Sequence, residues 1–135
     1  MCEIEILERI GGGAFGTVHR GRFRSTEVAV KLVPALGDPG ALAAFEGEAA
    51  MLARLRHPNV CLFMGASLEP GASHWAIVTE YVAAGSLWDA LRVEGAAWPV
   101  ARQRAVALGV ARGLASPPAA GVPRAAARRR TDREN

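Results

Sequence analysis

Lysine is almost missing from this chain: its 135 residues include fifteen arginines but a single lysine, Lys31. Where every other positive charge is an arginine, one compact ammonium on a flexible stem invites a specific explanation. Cysteine is scarce as well. Cys2 and Cys61 have no metal-ligand spacing, which excludes a disulfide framework and a zinc module and points to a reducing, cytoplasmic setting. No apolar run approaches the roughly 20 residues that span a bilayer. The first ten residues are dotted with charge instead of forming a secretory core, so no membrane segment is expected. No internal repeat is visible.

What is present suits one small domain, since half of the residues are hydrophobic and the length allows a core. The net charge of +3 is misleading as a guide to partners. Up to Ala115 the basic and acidic residues balance at eleven each, so the excess lies in the last twenty residues. A basic tail with no folded face behind it argues against a nucleic-acid partner.

Alternation and turn residues lay out the elements. Glu3 to Ile10 and Thr17 to Phe23 read as strands flanking a glycine stretch, and "EVAVKLV" reads as a third after a turn at Arg24 to Thr26. A helix is expected from about Ala41 to Leu55, opened by Asp38 or Pro39, with Leu42, Phe45, Ala49 and Leu52 along its apolar stripe. "VCLFMGASLE" and "HWAIVTEYV" make two further strands. Ser86 caps a short helix with Asp89 in its first turn, and Pro99 starts another that runs to Leu114 on Val106 and Val110. From Ser116 the chain is rich in alanine, arginine, proline and glycine without periodicity, and disorder is expected there.

The glycine stretch "IGGGAFGTV" contains G-x-G-x-x-G at Gly11, Gly13 and Gly16. Such a pattern serves a plain hairpin, a dinucleotide-binding turn, or a phosphate-covering loop. A dinucleotide-binding loop leads into a helix, whereas "TVHRGRF" alternates like a strand. A bare hairpin can lie over a phosphate chain with its amides aimed at the oxygens. Lys31, ending "VAVK", is either an ordinary strand-end lysine or a point contact for phosphate oxygens and one carboxylate. On the helix, Glu48 lies within about 50° of the centre of the apolar stripe, at about 100° per residue. There it either reaches water at the boundary or takes a cationic partner, since an unpaired buried carboxylate costs several kcal/mol.

"IGGGAFGTV", "VAVK", the helical Glu48, "RHPNVCLFMGAS" and "AIVTEYVAAGSL" together resemble the N-terminal lobe of a eukaryotic protein kinase. "RHPNVCLFMGA" is similar in particular to the tyrosine-kinase-like group, Raf and the Raf-like MAP kinase kinase kinases, which act chiefly on serine and threonine. The resemblance covers about Ile6 to Ala115. It implies an α+β fold, a five-stranded antiparallel sheet with one packed helix, followed by the first two helices of a second lobe. It divides the chain into an N-lobe and hinge (1–82), the start of a C-lobe (83–115) and a divergent tail (116–135).

The site residues it implies belong to ATP. Gly11, Gly13 and Gly16 cover the phosphates with Phe15 at the tip. Ile10, Val18 and Ala29 bound the adenine from above. Lys31 holds the phosphates and pairs with Glu48. Thr79 is the gatekeeper, and Glu80, Tyr81 and Val82 form the hinge. Leu52 and Phe63 match two positions of the regulatory spine, or are simply core. Arg56 and His57 fall where Raf-like kinases pair side to side, or form a solvated helix end.

The resemblance stops after "ARGLA". No histidine–arginine–aspartate loop and no D-F-G aspartate follow, so the catalytic base and the magnesium ligands expected of the family are missing, and no metal site is expected. The expectation is the ATP-binding part of a Raf-like serine/threonine kinase, cut short before the catalytic loop and inactive as it stands. The composition of the tail suits an alternative reading frame of GC-rich DNA. The competing expectation is a non-catalytic module that binds nucleotide or pairs with a full kinase. Partners implied by the family are ATP and a protein substrate or a partner kinase.

Overall fold

The computed structural model describes residues 4–13, 16–35, 38–68, 71–94 and 98–116. Alternation in "VAVKLV" becomes β3 (Thr26–Pro34), with Val28 and Val30 wholly buried on one face and Ala29, Lys31 and Val33 on the other. Beside β3 lie β2 (Gly16–Phe23) and β5 (His74–Glu80), with β1 (Ile4–Gly13) outside β2 and β4 (Phe63–Ser67) outside β5. All four pairings are antiparallel, in the order β1-β2-β3-β5-β4. The expected five-stranded antiparallel sheet is present.

Its strand ends differ from the sequence expectation. β1 continues past Ile10 to Gly13, because Gly11, Gly12 and Gly13 pair with Val18, Thr17 and Gly16. The glycine stretch is therefore mostly ladder, with Ala14 and Phe15 outside the described residues. β4 keeps only the middle of the expected strand, since the Val60 N–H is drawn back to the His57 carbonyl at 3.0 Å in a turn. β5 stops at Glu80 and leaves Tyr81 and Val82 outside the sheet. Between β2 and β3 the turn is Arg24–Ser25 alone, both at positive φ (48° and 67°), the sense that matches the twist of a tight hairpin.

α1 (Pro39–Arg54) begins at Asp38, whose carboxylate accepts from the N–H groups of Gly40 and Ala41 at 3.2 and 3.0 Å. The helix buries Phe45 and Ala49, with Ala41 and Leu52 packed alongside. Leu42 is a correction: it is 37% exposed, because the seam is rotated toward Ala41 and Glu48 instead of Leu42. That rotation turns Glu48 toward the sheet.

Two apolar clusters hold the sheet, one on each face. Val28, Val30 and Val78 are enclosed by Ile4, Phe23, Leu32, Met64 and Ala76. Phe45, Trp75 and Ile77 pack between sheet and α1, with the Phe45 and Trp75 rings 5.4 Å apart and tilted by 52°. Each such side chain contributes about 1.5–3 kcal/mol by burial. Leu52 and Phe63 join the second cluster as partly buried members.

Beyond Val82 the packing thins. α2 (Leu87–Glu94) is capped by Ser86, whose Oγ accepts from the Asp89 N–H at 3.1 Å. α3 (Val100–Leu114) follows Pro99 and contains no buried residue. It meets the earlier chain at Asn59, where a Cβ on Gly113 would stand 2.9 Å from the Asn59 carbonyl oxygen. His57, at the same corner, accepts from the Asn59 N–H through Nδ1 at 3.0 Å, so it is tied into the turn, while Arg56 is exposed. Leu87, Leu91, Trp98, Val106, Val110 and Leu114 line an open apolar groove between the two helices. With burial concentrated in the sheet, amides of α2 and α3 are expected to exchange at least about 100-fold faster than those of β3 and β5. Hydrogen-exchange mass spectrometry of the whole chain measures this; equal protection in sheet and α3 would contradict it.

Candidate functional site

Antiparallel partners share a face, so the register assigns the site residues to one surface. Val18 stands opposite Lys31 and Lys31 opposite Ile77; Ala29 stands opposite Thr79, and Thr79 opposite Phe63. Val18, Ala29, Lys31 and Thr79 thus line the sheet face that also receives α1. Gly11 pairs with Val18 and extends this face into the glycine hairpin. Ile10, 45% exposed, is the extra residue between the Arg9–His19 and Gly11–Val18 partners, a bulge that bends β1 just before the glycines.

Lys31 and Glu48 meet across the gap between β3 and α1. The ammonium Nζ donates to both carboxylate oxygens, at 2.7 and 3.0 Å. Both side chains keep about a third of their surface open, 30% and 39%. An ion pair that accessible stabilises the fold by no more than about 1 kcal/mol. It leaves the ammonium within reach of an incoming anion. Gly13 and Gly16 close the hairpin as direct partners, and Gly16 adopts φ +126°.

At the other edge the backbone leaves β5 for Tyr81 and Val82, the expected hinge. The Glu80 N–H donates to the Leu62 carbonyl at 2.9 Å, and its carboxylate accepts from the Leu62 N–H at 2.8 Å. This double tie fixes the start of the hinge to the segment before β4. The Thr79 hydroxyl leans toward the Glu80 carbonyl at 3.4 Å, and Val82 is exposed. The register brings Gly11, Val18, Ala29, Lys31 and Thr79 to one face, with Glu48 joined to it through Lys31; Phe15 lies outside the described residues.

Sequence reasoning missed the charged clasp on the same face. Arg20 donates to Glu8 on β1 at 2.9 Å and to Glu27 on β3, and its guanidinium carbon sits 5.4 Å from the centre of the Tyr81 ring. Hydrogen bonding by Arg20 holds the Glu8 carboxyl below its usual range, and the two carboxylates, Glu27 first, push the Arg20 guanidinium higher still. A signal existed: once Phe23 faces Thr26, Arg20 and Glu27 are diagonal neighbours on one face. The side chain of Glu80 gave no comparable signal, since its partner is backbone.

The chemistry of the described residues is compatible with a nucleotide: glycines of β1 and β2 and the paired Lys31 could meet its phosphates, and backbone groups after β5 its base. Among the described residues no three His, Cys, Asp or Glu side chains converge. No described helix is long and apolar enough to cross a membrane.

This sheet, helix and ion pair form the architecture of the smaller lobe of protein kinases. The model of the protein tyrosine and serine/threonine kinase family matches residues 4–116, and the chain belongs to that family. It is 40% identical over 116 residues to the serine/threonine-protein kinase CTR1 of Arabidopsis thaliana, covering 84% of this chain and 14% of that kinase. Over 113 residues it is 37% identical to the serine/threonine-protein kinase A-Raf of Mus musculus, covering 83% of this chain and 18% of that one. The dual specificity protein kinase shkC of Dictyostelium discoideum is 46% identical over 86 residues, 63% of this chain and 17% of the relative. The chain thus spans less than a fifth of each of these relatives, and its similarity is to the Raf-like kinases.

Proposed function

We propose that residues 1–82 are the ATP-binding lobe and hinge of a Raf-like serine/threonine signalling kinase, and that 83–115 begin its second lobe. The observation that carries the proposal is the two-pronged contact of Lys31 with Glu48 beside the glycine hairpin. An ammonium so oriented presents its remaining charge to a phosphate chain, while the hairpin backbone approaches that chain from above. ATP supplies the phosphoryl group in this chemistry. The chain's own residues bind and orient it: Gly11, Gly13 and Gly16 over the phosphates, Val18 and Ala29 above the adenine, and the backbone of Glu80 to Val82 along its edge. In the full kinase the acceptor is a protein hydroxyl. A cytoplasmic setting is supported by Cys61, an exposed free thiol.

Phosphoryl transfer also needs a base and metal neutralisation of the developing charge. The 135 residues contain neither the catalytic loop nor the D-F-G aspartate. By itself this chain is therefore expected to bind nucleotide without transferring phosphate. Calorimetric titration with ATP, with and without magnesium, tests the proposal. Expected are weak binding that magnesium changes little, and no phosphate incorporation into a generic protein substrate. Strong magnesium-dependent affinity would overturn the assignment of the metal ligands; no ATP binding in either buffer would overturn the site.

A further inference from the structure

Arg20 touches β1, β3 and the segment after β5 with a single side chain. Its strand, β2, carries Val18 two residues earlier on the same face, so Arg20 is the next side chain outward from the proposed adenine roof. Its cross-strand partner is Ala29, the other roof residue. Val28 is opposite Glu80, so the neighbouring Glu27 is level with the start of the hinge. One guanidinium therefore reaches three separate parts: Glu8 on β1, Glu27 on β3 and the ring of Tyr81 in the hinge.

Each contact alone is modest. Exposed ion pairs contribute about 0–1 kcal/mol, and an accessible cation–π contact about 0.5–1 kcal/mol. Their arrangement matters more than their sum. Glu8 and Glu27 hold the planar fork from two sides, which removes much of the rotamer freedom that weakens a lone surface arginine. The guanidinium carbon lies over the Tyr81 ring, 5.4 Å from the centroid. Among the described residues, β1 pairs directly with β2, and the clasp adds a side-chain link from these hairpin strands to Tyr81.

We propose that Arg20 is a positioning residue of the nucleotide site, tying the glycine hairpin to Tyr81 and so setting the height of the cleft in which the adenine lies. The inference rests on the nucleotide-binding reading above. It assigns Arg20 no contact with ATP: the residue acts through Val18 and Ala29 above the base and through the hinge backbone at its edge. The consequence is a specific signature. Loss of the clasp weakens every ligand that carries the adenine, whether or not it carries phosphates, whereas loss of Lys31 weakens only those with phosphates.

The test is calorimetric titration of the whole chain with adenosine and with ATP, alongside melting temperatures. Arg20→Met is expected to weaken both ligands by about 3- to 10-fold, the scale of one or two such contacts. Tyr81→Leu should lose as much, and Tyr81→Phe, which keeps the ring, should recover most of the loss. The double variant R20M/Y81L should be no weaker than either single change, because both break one link. Glu27→Gln, which keeps the shape and loosens the fork, provides a milder variant if Arg20→Met does not fold. Adenosine affinities within twofold of the parent for Arg20→Met, or for Glu27→Gln in its place, would overturn the inference while leaving the nucleotide site intact. Independent, multiplying effects of the Arg20 and Tyr81 changes would overturn it too. A parent chain that binds neither adenosine nor ATP overturns the nucleotide reading itself, and the inference with it.

Discussion

Replacing Lys31 with methionine is expected to lower ATP affinity by about 10- to 100-fold, the scale of one lost hydrogen bond to a charged group, and to change adenosine affinity far less. The two distances to Glu48, 2.7 and 3.0 Å, orient the ammonium beside the glycine hairpin. Methionine matches the stem in length and keeps its packing, so what disappears is the charge and its donors. Stability should change little, because the Glu48 side chain is 39% exposed and can take up water once its partner is gone. Glu48→Gln should weaken ATP less than Lys31→Met, since the lysine survives and loses only its orientation. Titration of both variants with ATP and adenosine, with a melting curve for each, checks the prediction. Equal losses for the two ligands would show that Lys31 supports the fold and not the phosphates.

The second large effect concerns the glycines, which the sequence pattern treats as equivalent and the structure does not. Gly16 has φ +126°, and a Cβ built on it would stand 2.1 Å from the backbone carbonyl oxygen of Leu32. Neither the torsion nor the clash can be relieved by turning a side chain, since the obstacle is the β3 backbone. Gly16→Ala is expected to destabilise the chain by about 1–3 kcal/mol. For a domain of this size that is a fall in melting temperature of roughly 3–6 °C per kcal/mol. Gly13→Ala should melt close to the parent, because among the described residues nothing lies within 4 Å of its added methyl. At Gly11 the added methyl would meet only the Cβ of Val18 at an ordinary 3.9 Å. A requirement for glycine at 11 would then point to the approach of a ligand. Thermal denaturation of the three alanine variants, followed by ATP titration of each, separates the two causes; an unchanged melting temperature for Gly16→Ala would sink the structural half of the argument.

Local signals carried much of this protein. Period-two runs such as "VAVKLV" specify strands because alternate side chains must face opposite sides, and the five strands and α1 follow from such runs and from the Asp38 cap. The order of motifs from the glycines through Lys31 to the hinge also sufficed to indicate the kinase family, since spacing along the chain survives without any knowledge of contacts. Family membership and the sheet-plus-helix fold were therefore legible before any coordinates.

Tertiary structure alone decided which of these residues act on one another. Helical spacing puts Leu42 on the apolar stripe of α1, yet packing against Trp75 and Ile77 turns the helix so that Leu42 faces out and Glu48 faces the sheet. A helical wheel supplies the angles between side chains but not the direction of the core. The clasp of Arg20 on Glu8, Glu27 and Tyr81 depends on the register of three strands at once, and the tie from Glu80 to Leu62 uses backbone groups that every sequence has. The difference between Gly16 and Gly13 has the same origin. It lies in how closely β3 approaches the hairpin, a distance set by long-range strand pairing and not by the identity of the glycine.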